Sequence, residues 1–265
     1  MSFPKDFVWG TATSSYQVEG STLDYGRGEC IWYRFSHTAG NVSEGHTGDI
    51  ACDHLHRYPE DIKLMTQLGV DAYRLSIAWA RVLPSGIGAI NEQGLAFYDE
   101  LIDALLEANI RPYVTLYHWD LPQALQDTGG WENPDSVQWF VDYADLISRT
   151  LGDRVKHWIT HNEPYVVSMV GNLFGSHAPG KHDATAAYTV AHHLLLSHGA
   201  AVPVIRSNIP DDGEVGITLD QTYSMPKTSS HEDRLAARRF ASWHNDWFLE
   251  PIFRGTYPAD TVKYI

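Results

Sequence analysis

Hydrophobic and polar positions along the chain follow two alternating periods. Short runs rich in Val, Ile, Leu, Thr and aromatic residues are each followed by a longer segment with apolar residues three and four apart. The first strand is predicted over 7–13, and a loop rich in Gly and polar residues follows it to about Asp49. A helix is predicted from about Asp53, with Leu55, Ile62, Leu64, Met65 and Leu68 apolar and Gly69 as its C′ residue. The second strand is read over 72–79. The next helix starts near Asn91, a candidate N-cap, and carries Leu95, Tyr98, Leu101, Ile102 and Leu105 on one face. Strand three is read over 111–119. A helix then opens at Asn133-Pro134, with Asn as cap and Pro in the first turn. Strand four is read over 157–160. A long helix is read over 184–206, with Pro203 expected to kink or end it. Strand five covers 214–219, and a last helix 232–253.

Strands alternating with helices imply βαβ units and a parallel sheet. Five such units are counted. No linker rich in Pro, Gly or Ser divides them, so residues 1–265 are read as part of one domain.

Composition narrows the possible partners. The 33 acidic against 19 basic side chains give a net charge of −14, which repels phosphate backbones and anionic lipid surfaces. Nucleic acid and membrane are therefore not expected as partners. No apolar stretch is long enough to span a bilayer. The N-terminus lacks a basic start followed by an apolar run, so no signal peptide is expected. With only Cys30 and Cys52, no disulfide framework can be read, and a cytoplasmic location is expected. Asn41-Val42-Ser43 matches a glycosylation acceptor and is read as chance in that setting. Nine Trp, fourteen Tyr and nine Phe suit a packed core, or a surface on which flat rings meet the apolar faces of sugars.

Polar groups collect where the strands end, which is where parallel α/β folds build their sites. Ser14, Ser15, Tyr16, Gln17 and Glu19 follow strand one. His118-Trp119-Asp120 closes strand three, and His161-Asn162-Glu163-Pro164 closes strand four. The histidines, among them His54 with His56, His182 and His192-His193, show no ligand spacing, and His-Glu-x-x-His is absent. No metal is expected. Gly26-Arg27-Gly28 builds no phosphate loop, so no cofactor is implied.

These stretches carry a resemblance. FPKDFVWGTATSSYQVEG near the N-terminus resembles the N-terminal signature of family 1 glycoside hydrolases, with their bacterial β-glucosidases closest in style. GDIACDH, YRLSIAW, TLYHWDLP, WITHNEP and HAPG agree, so the resemblance runs along nearly the whole chain. It implies a (β/α)8 TIM barrel, here about five of its eight βα units, and hydrolysis of β-glycosides with retention. Retention needs two carboxyl groups about 5–5.5 Å apart. The acid/base maps onto Glu163 of Asn-Glu-Pro. Asn162 is implied to hydrogen-bond the sugar 2-OH, Gln17 and His118 to hold ring hydroxyls, and Trp119 to line the sugar pocket. Arg74 lies where the family's Arg pairs with the nucleophile. The implied substrate is a β-glucoside or β-linked oligosaccharide.

Three features depart from the family. His161 stands where an apolar residue is common, which is expected to change the local lining. Asp220 stands where Asn is commoner, and it would raise the proton affinity of Glu163 if it faces the site. The nucleophile's Thr-Glu-Asn-Gly motif does not occur in this sequence. Five strands cannot close a barrel, and the first and last would expose unpaired edges. A complementary C-terminal fragment or self-association is therefore expected, with little hydrolysis by the chain alone. The alternative reading is a non-catalytic sugar-binding or assembly fragment of the same barrel.

Overall fold

The computed structural model describes residues 3–263; Met1, Ser2, Tyr264 and Ile265, at the two chain ends, lie outside the described residues. Five strands form one parallel sheet in which spatial order equals chain order: β1 (Gly10–Ala12), β2 (Ala72–Ser76), β3 (Arg111–Tyr117), β4 (His157–Asn162) and β5 (Glu214–Thr218). Long helices fill the connections, at His54–Leu68, Glu92–Glu107, Ser136–Leu151 and Ala184–Asn208. This is the α/β alternation that the sequence pattern predicts.

The middle strands read as near-continuous apolar runs because both of their faces are covered. Val114, Leu116 and Tyr117 of β3 are buried, and so are Tyr73 and Leu75 of β2. The helices pack Tyr98, Leu101, Ile102, Leu105, Phe140, Tyr143 and Ile147 against them in one cluster. At its centre Trp79 and Tyr143 stack at 4.5 Å and 6°. The Tyr143 hydroxyl donates toward Leu116 O at 3.0 Å and Ile77 O at 3.3 Å, so the ring packs apolar and its polar tip is satisfied. β1 and β5 end the sheet, and their outer residues are more exposed.

Several boundaries differ from the sequence reading, each for a local reason. β1 holds three residues, not seven, because Trp9 N donates to the Asp71 carboxylate and Phe3, Phe7 and Trp9 gather into an exposed ring cluster at 4.6–4.7 Å. β2 stops at Ser76, and Trp79 opens a short helix, Trp79–Val82. β3 stops at Tyr117, where Trp119 turns into the left-handed region at φ 75°. β4 runs two residues further than read, to Asn162. The loop up to Asp49 carries the short helices Ser15–Val18 and Ile31–Ser36.

Two expected caps are spent elsewhere. Asn91 precedes its helix, but its side chain donates to Tyr25 O and Arg81 O and so ties two loops together. Asn133 accepts from Asp135 N–H in a local turn, and the helix begins at Ser136. Pro203 does not end its helix, which continues to Asn208; Ala201 and Ile205, buried on either side, hold it in place. Gly69 does close the first long helix, at φ 70° with its N–H on Met65 O and Thr66 O. The last helical stretch is broken into His231–Ala241, a π-helical turn at Ser242–Asp246 and Trp247–Arg254.

The Tyr143 anchor is testable. Tyr143→Phe strips one donor from two strand-end carbonyls and should lower unfolding free energy by about 1–2 kcal/mol. Tyr143→Ala adds a cavity beside Trp79 and should cost about 3–5 kcal/mol. Urea unfolding followed by Trp fluorescence measures both, and an unchanged midpoint for the Phe variant contradicts the assignment.

Candidate active site

The parallel register carries the ends of β2, β3 and β4 to one rim. Arg74 pairs with Tyr113 across β2–β3, and Tyr117 pairs with His161 across β3–β4. A register shift between Ile159 and Asn162 bends the end of β4 against β5, a common device beside functional sites. Glu163 is the first residue past β4. Its backbone is left-handed, at φ 51°, and its N–H donates to Thr218 O at 2.8 Å. Trp119 and Glu163 thus each leave their strand in a conformation unfavourable for a side-chain-bearing residue, held by the surrounding structure.

Asn162 joins the groups. Its Oδ1 accepts from Arg74 Nη2 at 2.6 Å, and its Nδ2 donates to Glu163 Oε2 at 2.9 Å and to His118 Nε2 at 3.2 Å. Its main-chain carbonyl accepts from Trp119 Nε1 at 2.9 Å. Arg74 Nε donates to Thr115 Oγ1 at 3.0 Å. Among the described residues Arg74 forms no ion pair with a carboxylate. The structure therefore brings together Arg74, His118, Trp119, Asn162 and Glu163.

Burial sets the charge states here. It pushes the Glu163 carboxyl up; Asn162 and Arg74 pull it down, and Asp220 pushes it further up. Burial, helped by the Arg74 charge, pushes His118 down to about 3, so its imidazole is neutral near pH 7. With Nε2 accepting from Asn162, the His118 proton sits on Nδ1, which has no hydrogen-bond partner among the described residues.

Gln17 reaches the site from the other side. It lies in the helix Ser15–Val18 and accepts from Ser14 Oγ at 2.7 Å. Together with His118 and Trp119 it lines a cavity of about 380 Å³. Ser15 Oγ donates to Asp120 Oδ2 at 2.7 Å and Ser15 N to Ser76 Oγ at 2.8 Å, so the Gln17 segment is bolted to the His118-Trp119 segment. Behind it, buried Glu19 accepts from Tyr98 Oη at 2.6 Å and Arg81 Nε at 3.1 Å, with Arg27 at 3.8 Å.

Trp32 and His177 were not among the candidates, yet both line the cavity. Trp32 stacks on Trp119 at 6.5 Å, and the His177 ring lies 5.3 Å from Trp32 and 5.5 Å from Trp119. The HAPG stretch held the signal for His177; Trp32 sits in the short helix Ile31–Ser36, with no motif of its own. His161 corrects an expectation: it does not line the cavity. It is fully buried, stacks on Phe140 at 4.2 Å and shares a 2.9 Å hydrogen bond between Nε2 and Ser197 Oγ. Side chains alternate along a strand, so the residue before Asn162 faces the helices. Cys30 is buried and Cys52 exposed, and both are free thiols. Among the described residues no cluster of three His, Cys, Asp or Glu could hold a metal, and no helix is long and apolar enough to cross a membrane.

Known proteins resemble this chain in sequence and fold. The sequence profile of glycosyl hydrolase family 1 matches residues 1–265. The chain is 51% identical over 264 residues to beta-glucosidase A of Acetivibrio thermocellus, covering 99% of this chain and 58% of that protein. It is likewise 51% identical to beta-glucosidase A of Thermotoga maritima, covering 99% of this chain and 59% of that protein. A solved structure of the family 1 β-glucosidase from Thermotoga maritima superposes with a TM-score of 0.97 at 49% identity, over 99% of this chain and 59% of that one. The same relative in complex with isofagomine lactam gives 0.96 at 50% identity, again over 99% and 59%. The chain spans about three-fifths of the length of these relatives. Its sheet is an α/β fragment of their TIM barrel.

The buried neutral imidazoles predict a pH dependence. Burial lowers His161 strongly, His118 to about 3 and His198 to about 4. The unfolded chain binds these protons near pH 6.5 and the folded chain does not, so their contribution is complete above about pH 6.5 and is lost as pH falls toward 4. His161→Phe keeps the ring in the aromatic core and removes one such group. It should flatten the fall in stability below pH 6.5 by up to about 1.4 kcal/mol per pH unit. Urea midpoints at pH 7 and 5.5 measure the slope, and equal slopes in the two proteins contradict a buried neutral His161.

Proposed function

The chain belongs to glycosyl hydrolase family 1, and on that premise we propose that it supplies the acid/base half of a retaining β-glucosidase. In this reading Glu163 protonates the glycosidic oxygen while a carboxylate attacks the anomeric carbon and the aglycone leaves. A glycosyl ester results. Glu163, now ionised, takes a proton from water as that water displaces the ester carboxylate. The nucleophile comes from sequence outside this chain.

The single observation that carries the reading is Arg74 beside Glu163. A half-buried guanidinium that, among the described residues, pairs only with the neutral Asn162 and Thr115 calls for a counter-charge. A nucleophilic carboxylate placed there would be kept ionised by Arg74, while burial raises the proton affinity of Glu163. Two carboxyl groups with opposed environments are what a retaining hydrolase needs. Gln17, the Nδ1 proton of His118 and the Asn162 amide would take the hydroxyls of a β-linked glucosyl unit, with Trp119 against its apolar face. The relatives named beta-glucosidase support that substrate class. The sheet edges at β1 and β5 support a complementary C-terminal segment, or self-association, as partner. Free Cys30 and Cys52 support a cytoplasmic setting.

In the full-length protein, Glu163→Gln should lower kcat by roughly 10²–10⁴ for glucosides with poor leaving groups. The loss should be under about tenfold for dinitrophenyl glucoside in the glycosylation step, since that aglycone departs without a proton. Pre-steady-state and steady-state rates across an aryl series check this, and an equal loss for all leaving groups rejects the acid/base role. Residues 1–265 alone should show no β-glucosidase turnover and should self-associate in sedimentation velocity. A monomer that unfolds cooperatively and independently of concentration contradicts the partner requirement.

A further inference from the structure

β5 delivers a second acid to the rim that holds Glu163. Asn162 and Thr218 are register partners, Glu163 N–H donates to Thr218 O, and Asp220 lies two residues beyond that contact. Asp220 is held from behind: its Oδ2 lies 3.4 Å from His244 Nε2. The His244 side chain is only 6% exposed. Its ring is fixed between Phe240, stacked at 5.5 Å, and Tyr165, at 3.9 Å, and Thr222 Oγ1 lies 3.3 Å from the same Nε2. Tyr165 is two residues from Glu163, so the Asp220–His244 pair packs against Glu163's own segment.

The groups facing Glu163 are few. β2 contributes the Arg74 cation, β4 the Asn162 amide, the end of β3 the neutral His118 and the loop after β5 the Asp220 carboxyl. Tyr165 follows on Glu163's own segment, and Asp220 acts on it as well. Arg74 favours the ionised form of Glu163. Among the described residues, Asp220 is the negative group that opposes it.

We propose that Asp220, fixed by His244, is a positioning residue that acts through Glu163 by holding the proton on it in the acid step and strengthening it as a base in the second. The proposal rests on Glu163 being the acid/base. Its physical basis is like-charge repulsion across a partly buried rim, where an amide at position 220 would have no such effect. A more basic Glu163 also suits both half-reactions at neutral pH, because an acid/base works best with a proton affinity near the operating pH.

The test is the pH profile of kcat/KM for the full-length protein. Asp220→Asn should move the alkaline limb, where Glu163 loses its proton, down by about 0.5–1 unit, with a much smaller move of the acid limb. Asp220→Glu, which restores the charge, should return the limb to within about 0.2 unit of wild type. Side-chain ¹³C titration of Glu163, assigned with the Glu163→Gln variant, should show the same downward shift without recourse to turnover. Should Asp220→Asn fail to fold, Asp220→Ser serves as the neutral variant. An unmoved limb and an unmoved ¹³C titration in the neutral variant overturn the proposal, as does an equal shift in Asp220→Glu. Failure of the acid/base reading looks different: Glu163→Gln would then lose activity equally for every leaving group, whatever stands at position 220.

Discussion

The site depends on one side-chain amide. Asn162 uses its carbonyl oxygen to accept from Arg74 and its nitrogen to donate to both Glu163 and His118, while its backbone carbonyl holds Trp119. An amide offers two donor hydrogens and an oxygen with two lone pairs in a fixed plane; both donors are engaged and the oxygen keeps one lone pair. The ends of β2, β3 and β4 therefore cannot move independently. A carboxylate at this position would repel Glu163 and an apolar residue would strand Arg74, so neither could hold the same set of partners.

That arrangement is held from below by two kinds of packing. The aromatic core around Trp79, Tyr143, Phe140 and Trp131 fixes the strands, and the His161–Ser197 bond enters it at the residue next to Asn162. The second support is ionic. Glu19, Arg81 and Arg27 are nearly fully buried, and Tyr98 joins them. Removing one partner from such a cluster leaves an uncompensated charge, so the loop that carries Gln17 has few alternative positions. The Ser15–Asp120 bond carries this rigidity to His118 and Trp119. Left-handed backbone at Trp119 and Glu163 is tolerated because these supports determine it from several sides.

Legibility followed burial. The βα alternation, the C′ glycine at position 69 and the strand-end clusters at 118–119 and 162–163 could all be read, because two-sided burial writes long apolar runs and a parallel sheet gathers its strand ends. The resemblance to family 1 glycoside hydrolases gave roles to residues that spacing alone left as polar clusters. The readings that failed were those in which a side chain had a distant alternative. Asn91 caps nothing because Tyr25 and Arg81 offer it carbonyls.

The α/β class, the five-unit order and the chemical inventory at the strand ends are written along the chain, because periodicity and motif spacing are local properties. Which of those groups touch depends on long-range packing. That packing turned His161 toward the core, put Trp32 and His177 beside Trp119, left Arg74 without a carboxylate partner among the described residues and set Asp220 against His244. Those outcomes depend on strand register and on contacts between residues far apart in the chain. No local pattern encodes the distance across a sheet.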